Sequence, residues 1–198
     1  MSADPRTIAV YDAKAGDYAD RFASTEPDRH LRAFISALSR GAHVLDLGCG
    51  PGTASAFLRA AGMRPDPVDA SPAMVRMANE RHNIGARLAT FDDIDEAAAY
   101  DGVWANFSLL HAPRADLPRH LSALGRALNP GGVLHIGMKT GTGEARDALG
   151  RLYTFVTREE LIGLLGRAGF SVVSAFEGEE RGLAGTLDPF IILLARVA

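Results

Sequence analysis

The stretch VLDLGCGPGTASAFL, residues 44–58, decides the fold of this chain. An apolar run carrying Asp46 ends in three glycines at alternate positions, Gly48, Gly50 and Gly52, and a helix-like run follows at once. Glycines permit backbone angles and close approaches that a Cβ would block. A loop that runs straight into a helix leaves the first helical N–H groups unpaired and facing outward. Such a place receives an anion or the polar tail of a ligand.

Working outward, strands and helices alternate. Residues 5–40 read as mostly helical, with Leu31, Phe34, Ile35 and Leu38 on one face. AHVLDLG (42–48) is an apolar strand, TASAFLRAA (53–61) a helix, and MRPDPVDA a second strand frayed by two prolines. Ser71 is the expected N-cap of the next helix, with Pro72 at its first position. ARLATF (86–91) and YDGVWANFS (100–108) are strands three and four. Leu117, Leu121, Leu124 and Leu128 recur at helical spacing, and NPGG turns the chain into VLHIGMK, strand five. Thr157 and Glu160 suggest a capping box for TREELIGLLGRAG. FSVVSA and PFIILLARV are strands six and seven, joined by a short acidic, glycine-rich loop that reads as solvated and mobile.

The expected class is α/β: a Rossmann-like, doubly wound, seven-stranded and mostly parallel sheet with helices on both faces. The last two strands are too close for a crossover helix, so a hairpin makes one of them antiparallel. Ligands of such sheets bind beyond the carboxyl ends of the strands, where strand order reverses. Asp69 ends the second strand, 17 residues after Gly52, near the distance at which dinucleotide-binding sheets place a ribose-binding acid. It also fits an ordinary turn beside Ser71. Asp92 and Asp93 follow the third strand.

These strand ends together resemble the class I S-adenosylmethionine-dependent methyltransferases of small bacterial type. VLDLGCGPG resembles their first motif, VDASPAMVRMA the second-strand motif, YDGVWANFSLLH the fourth and LNPGGVLHIGMK the fifth. YDAKAGDYADRF resembles the N-terminal helix that closes over the cofactor. The resemblance implies that Asp46 and the loop Gly48, Cys49, Gly50 and Gly52 hold the methionine part of S-adenosylmethionine. Asp69 takes the ribose, Ala70 and Met74 line the adenine, and Phe91, Asp92 and Asp93 surround its other edge. Asn106 and Phe107 run past the sulfonium, while Tyr11 and Tyr18 close the mouth. One of Asp92 and Asp93 accepts from the adenine amino group, or both are solvated loop acids. The product is S-adenosylhomocysteine. A nicotinamide enzyme is disfavoured because its GxGxxG spacing is absent: the third glycine comes one place early, in GxGxG.

His111, directly after strand four, is the candidate general base, or else it shapes its loop. In KTGTGEARDALGRLYTF, residues 139–155, Lys139, Arg146 and Arg151 suit a carboxylate or phosphate on the methyl acceptor, and Tyr153 a wall or hydroxyl. Glu144 and Asp147 offer the competing reading, an internal salt-bridge cluster.

The chain has 198 residues, 47% hydrophobic and 23% charged, which suits one globular unit: residues 1–40 as a helical cap and 41–198 as the catalytic sheet. A formal net charge of -3 argues against a nucleic-acid partner. One cysteine, Cys49, excludes an internal disulfide and makes a poor zinc site, so no metal is expected. The first 22 residues lack signal-peptide order, and no run approaches the roughly 20 apolar residues of a membrane span, so a cytoplasmic home is expected. The reading is methyl transfer to a small-molecule acceptor, with a sensor that binds the cofactor without transfer as the alternative. Oligomeric state stays open.

Overall fold

The computed structural model describes residues 4–197. Helices α1 (Pro5–Ala13), α2 (Ala15–Arg21) and α3 (Arg29–Ser36) precede strand β1 (His43–Leu47). Then come α4 (Thr53–Ala60), β2 (Arg64–Asp69), α5 (Pro72–His82), β3 (Arg87–Leu88), β4 (Tyr100–Asn106), α6 (Leu117–Ala127) and β5 (Leu128–Lys139). A small hairpin, β6 (Glu144–Arg146) and β7 (Leu152–Thr154), leads to α7 (Arg158–Arg167), β8 (Phe170–Arg181) and β9 (Leu187–Val197).

Seven strands form one sheet in the order β3-β2-β1-β4-β5-β9-β8. β1 pairs in parallel with both β2 and β4, so strand order reverses beside β1. β9 runs antiparallel to β5 and to β8, as the short final connection requires. Helices cover both faces. On one, Leu117, Leu121 and Leu124 of α6 and Leu161 and Leu165 of α7 pack with Val103, Leu134 and Ile136. On the other, Leu31 and Phe34 of α3 and Leu58 of α4 pack on Val44, Trp104 and Val133. Each such buried side chain contributes about 1.5–3 kcal/mol.

The prolines of β2 have a positional explanation. The Arg64 N–H donates to Ala42 O on the β1 side, so Pro65 and Pro67, one and three residues on, turn their missing donors to the other side. There β3 pairs only with Val68 and Asp69, so no ladder bond is lost.

Five expectations change. β3 covers only two residues, because Thr90 and Asp93 cap each other reciprocally and turn Phe91–Asp93 into a 3-10 turn. Leu128 opens β5 rather than continuing α6. The acidic stretch expected as a loop is mostly strand: β8 continues to Arg181, and only 182–186 turn the chain. Thr157 caps α7 by accepting from Glu160 N, but the Glu160 carboxylate turns to Arg114 instead of closing a box. The expected 1–40 cap divides, with α1 and α2 over the strand ends and α3 packed into the sheet core.

Candidate functional site

Three glycines after β1 do three different things. A Cβ on Gly48 would stand 2.5 Å from Ser108 Cβ, so this glycine lets the ends of β1 and β4 meet. Gly52, at φ 83°, is the N-cap of α4, and a Cβ there would meet Ile84 and Ala78 at 2.6 and 3.0 Å. Gly52 thus serves helix packing and lines no cleft. Gly50, at φ 54°, lies beneath Tyr18, whose ring a Cβ would touch at 3.6 Å. The loop's N–H groups are spent inside the fold. Those of Gly48 and Cys49 go to Val68 O, that of Gly50 to Asp69 Oδ2 at 2.8 Å, and that of Gly52 to Cys49 O. What the loop region offers a ligand is therefore acceptors and carboxylates, with the start of α4, which has no side-chain cap, as the remaining donor edge.

Beyond the strand ends lies one continuous cleft in two compartments, a smaller and a larger, joined where Tyr11, Tyr18, Gly50, Asn106 and Phe107 line both. The smaller holds Asp69, Ala70, Met74 and Phe91, and the sequence reading missed Thr90 and Ser108 beside them. Ser108 Oγ is buried with no hydrogen-bond partner among the described residues, which leaves it open to a water or a ligand. Asp69 accepts from the N–H groups of Gly50 and Ser71, which hold its charge where burial pushes its pKa up. The carboxylates of Asp92 and Asp93 do not line the cleft. Asp93 accepts from Thr90, and Asp92 binds Arg119 at 2.5 Å. Both lie on the capped 3-10 turn, which presents Phe91 to the cleft and their carboxylates elsewhere.

Asp46 and Cys49 line the larger compartment. Asp46 is buried, accepts from Ser55 Oγ at 2.7 Å, and is pushed up by burial to about 7. Burial also raises the Cys49 thiol, which is inert packing against Ala78 and Ala86. Phe107 sits at φ 56°, a strained angle for a side chain of its size, held by its N–H to Gly137 O and edge-on to Phe190. Asn106 Oδ1 lies 3.0 Å from His135 Nε2, and His135 stacks on Trp104 with ring centroids 3.7 Å apart.

The lid α1 is fastened at both ends. Asp4, Thr7 and Tyr11 fall on one stripe of the helix. Asp4 takes a two-pronged grip from Arg146 at 2.8 and 2.9 Å, and Thr7 Oγ1 accepts from Leu152 N. On the opposite wall Asp12, which no sequence signal marked, accepts from Ser71 Oγ at 2.6 Å and from Ala73 N at the start of α5. Arg146 is thus a clasp on the lid and does not line the cleft.

His111 is not free to act as an unencumbered base. Leu152 O can only accept, so His111 Nδ1, 2.6 Å away, carries the proton. Nε2 must then accept, and the Tyr11 hydroxyl donates to it at 2.8 Å. Burial lowers His111 to about 4 and raises Tyr11 to about 12. Arg151, nearly buried, donates to Tyr11 Oη at 2.9 Å and to Asp147 Oδ2 from Nε and Nη2. Lys139 pairs with Asp188 and lies 3.9 Å from the centre of the Tyr153 ring. Burial raises the Tyr153 hydroxyl as well. Of the two readings of the 139–155 stretch, the ion-pair cluster is real for Asp147. Glu144 instead accepts from Arg114 N and Thr154 Oγ1. Lys139, Arg151 and Tyr153 nonetheless all line the larger compartment. Among the described residues no group of three His, Cys, Asp or Glu stands ready for a metal, and no helix is long and apolar enough to cross a membrane.

A family model described as "Methyltransferase domain" matches residues 19–175. The chain is 38% identical over 125 residues to trans-aconitate 2-methyltransferase of Paracidovorax citrulli, covering 58% of this chain and 45% of that relative, so it spans about half that protein's length. Among solved structures, 1,6-didemethyltoxoflavin-N1-methyltransferase of Burkholderia thailandensis, with bound 1,6-didemethyltoxoflavin and S-adenosylhomocysteine, superposes with a TM-score of 0.74 at 24% identity, over 98% of this chain and 88% of that one. The [4+2]-cyclase SpnF superposes at 0.76 and 19% identity, over 100% and 97%. At such identities the likeness speaks for the fold.

Proposed function

Because this chain belongs to the methyltransferase-domain family, we propose that it transfers a methyl group from S-adenosylmethionine to a small-molecule acceptor, leaving S-adenosylhomocysteine. The observation that carries the reading is the polarity of the glycine loop. Its N–H groups are consumed within the fold while Asp46 and Asp69 line the cleft around it. A pyrophosphate would be left with the start of α4 alone and would face the two carboxylates; a ligand bearing positive charge as well as a carboxylate suits both.

The residues present fit that cofactor. Asp69 retains lone pairs for a pair of ribose hydroxyls, and the Ser108 hydroxyl, without a hydrogen-bond partner among the described residues, is a feature a ligand would complete. Ala70, Met74 and Phe91 would bracket the adenine, and the uncapped start of α4 would take the carboxylate of the methionine part. The cofactor supplies an electrophilic methyl group. The protein's share is position and dryness: α1 and α2 cover the cleft, and Tyr11, Tyr18, Asn106 and Phe107 form the passage between compartments. Holding two reactants in line contributes on the order of several kcal/mol to such a transfer.

The acceptor belongs in the larger compartment, where Lys139 and Arg151 favour an anionic molecule. The test is calorimetric titration with S-adenosylmethionine, S-adenosylhomocysteine and NAD. Micromolar binding of the first two and none of NAD is expected. NAD binding alone would refute the proposal.

A further inference from the structure

Arg151 is a buried cation whose orientation is fixed by hydrogen bonds to Asp147 and Tyr11. A guanidinium has five N–H donors. Asp147 Oδ2 takes Nε–H and one proton of Nη2, at 2.9 and 2.7 Å, and Tyr11 Oη takes one proton of Nη1. Two N–H groups, one on each terminal nitrogen, have no partner among the described residues. The side chain is only 2% exposed, yet it lines the larger compartment. Unpaired donors on a buried charge are costly, and the group that best recovers the loss is a two-oxygen anion.

The surrounding bonds have a forced direction. Leu152 O receives the Nδ1 proton of His111, so Nε2 receives the Tyr11 proton, so the Tyr11 oxygen presents its lone pairs to Arg151. Asp147, Tyr11 and His111 thereby set the plane of the guanidinium. The Tyr153 ring lies beside it, 5.2 Å from the guanidinium carbon, with Lys139 also against that ring.

We propose that the acceptor is a carboxylate seated on the two uncommitted N–H groups of Arg151, with Tyr11, His111 and Asp147 as its positioning residues. The inference rests on the methyltransferase reading and deepens it. Its consequence is that the lid is part of the acceptor site. Tyr11 stands on α1, so the grip on the carboxylate is complete only when α1 is docked.

The experiment titrates the intact protein, with and without S-adenosylhomocysteine, with trans-aconitate, malonate and benzoate, each beside its amide. At least one carboxylate is expected to bind more than tenfold tighter than its amide. Arg151→Lys keeps the charge but loses the fork, and should weaken that carboxylate at least tenfold. Tyr11→Phe and Asp147→Asn should weaken it about fivefold, by a larger factor than they weaken S-adenosylhomocysteine; equal losses would mark a merely structural role and overturn the positioning claim. If S-adenosylhomocysteine binds and no carboxylate outcompetes its amide, the inference is overturned and the methyltransferase reading stands. If a carboxylate binds through Arg151 and S-adenosylhomocysteine does not bind at all, the anion seat stands and the methyltransferase reading falls.

Discussion

The floor of the cleft and its lid are built in opposite ways. The floor, at the ends of β1 and β2, is assembled from nearby stretches of chain: Gly50 and Asp69 are 19 residues apart and share a hydrogen bond, and Ser71 caps the helix that follows. The lid is fastened between distant parts of the chain: Arg151 meets Tyr11 across 140 residues, Leu152 meets Thr7 across 145, and Arg146 meets Asp4 across 142. The first is a rigid seat of backbone and buried carboxylates. The second is held down by side chains.

If that contrast is sound, changes in the seat should cost far more than changes in the clasp. The largest effect should come from Asp46. Its folded pKa, about 7, lies above the ordinary carboxylate value of about 3.9. The folded state therefore holds the proton more tightly, and stability is fullest below about pH 4 and is lost as pH rises toward 7. The shift corresponds to at most about 4 kcal/mol. Asp46→Asn should remove this slope, read as the difference between wild-type and variant denaturation across pH 4–8; parallel curves would show that Asp46 is ionised at no cost.

Gly48→Ala comes next. Its φ of 77° and a Cβ at 2.5 Å from Ser108 combine backbone strain and overpacking, about 3 kcal/mol in sum. For a chain of this size that lowers the melting midpoint by roughly 6–12 °C. A midpoint within error of wild type would mean that the ends of β1 and β4 can part freely.

Asp69→Ala removes the acceptor of two backbone N–H groups and, on the proposed function, the ribose partner, and should weaken S-adenosylhomocysteine about 100-fold, or about 2.7 kcal/mol, by calorimetry. Less than a fivefold change would shift the seat's centre away from β2. The smallest effect belongs to the clasp. Arg146→Ala breaks an exposed ion pair, so S-adenosylhomocysteine affinity should fall less than about threefold. A loss as large as that of Asp69→Ala would erase the distinction between seat and clasp.

Legibility followed the same division. The Ser71 cap, the glycine turn and the succession of strands and helices along the chain were readable, because each depends on a few consecutive residues obeying local rules. Asp92 and Asp93 left two readings open in the sequence. Their type and position suited an adenine, but Thr90 two and three residues earlier captured the turn and aimed them away. Arg146 and Arg151 looked alike in sequence. Their fates diverged because one met Asp4 at the surface while the other was enclosed by Asp147 and Tyr11. The β6–β7 hairpin escaped notice because strands of three residues, exposed on one side, carry no alternating pattern.

The sequence by itself determined the sheet, its reversed last strand and the seat at the end of β1, because apolar periodicity and glycine placement act over a few residues. Only the tertiary structure decided the protonation pattern of His111, the clasp on α1 and the two open donors of Arg151. Those depend on which distant groups meet, and the direction of each hydrogen bond is set by a partner more than forty residues away in the chain.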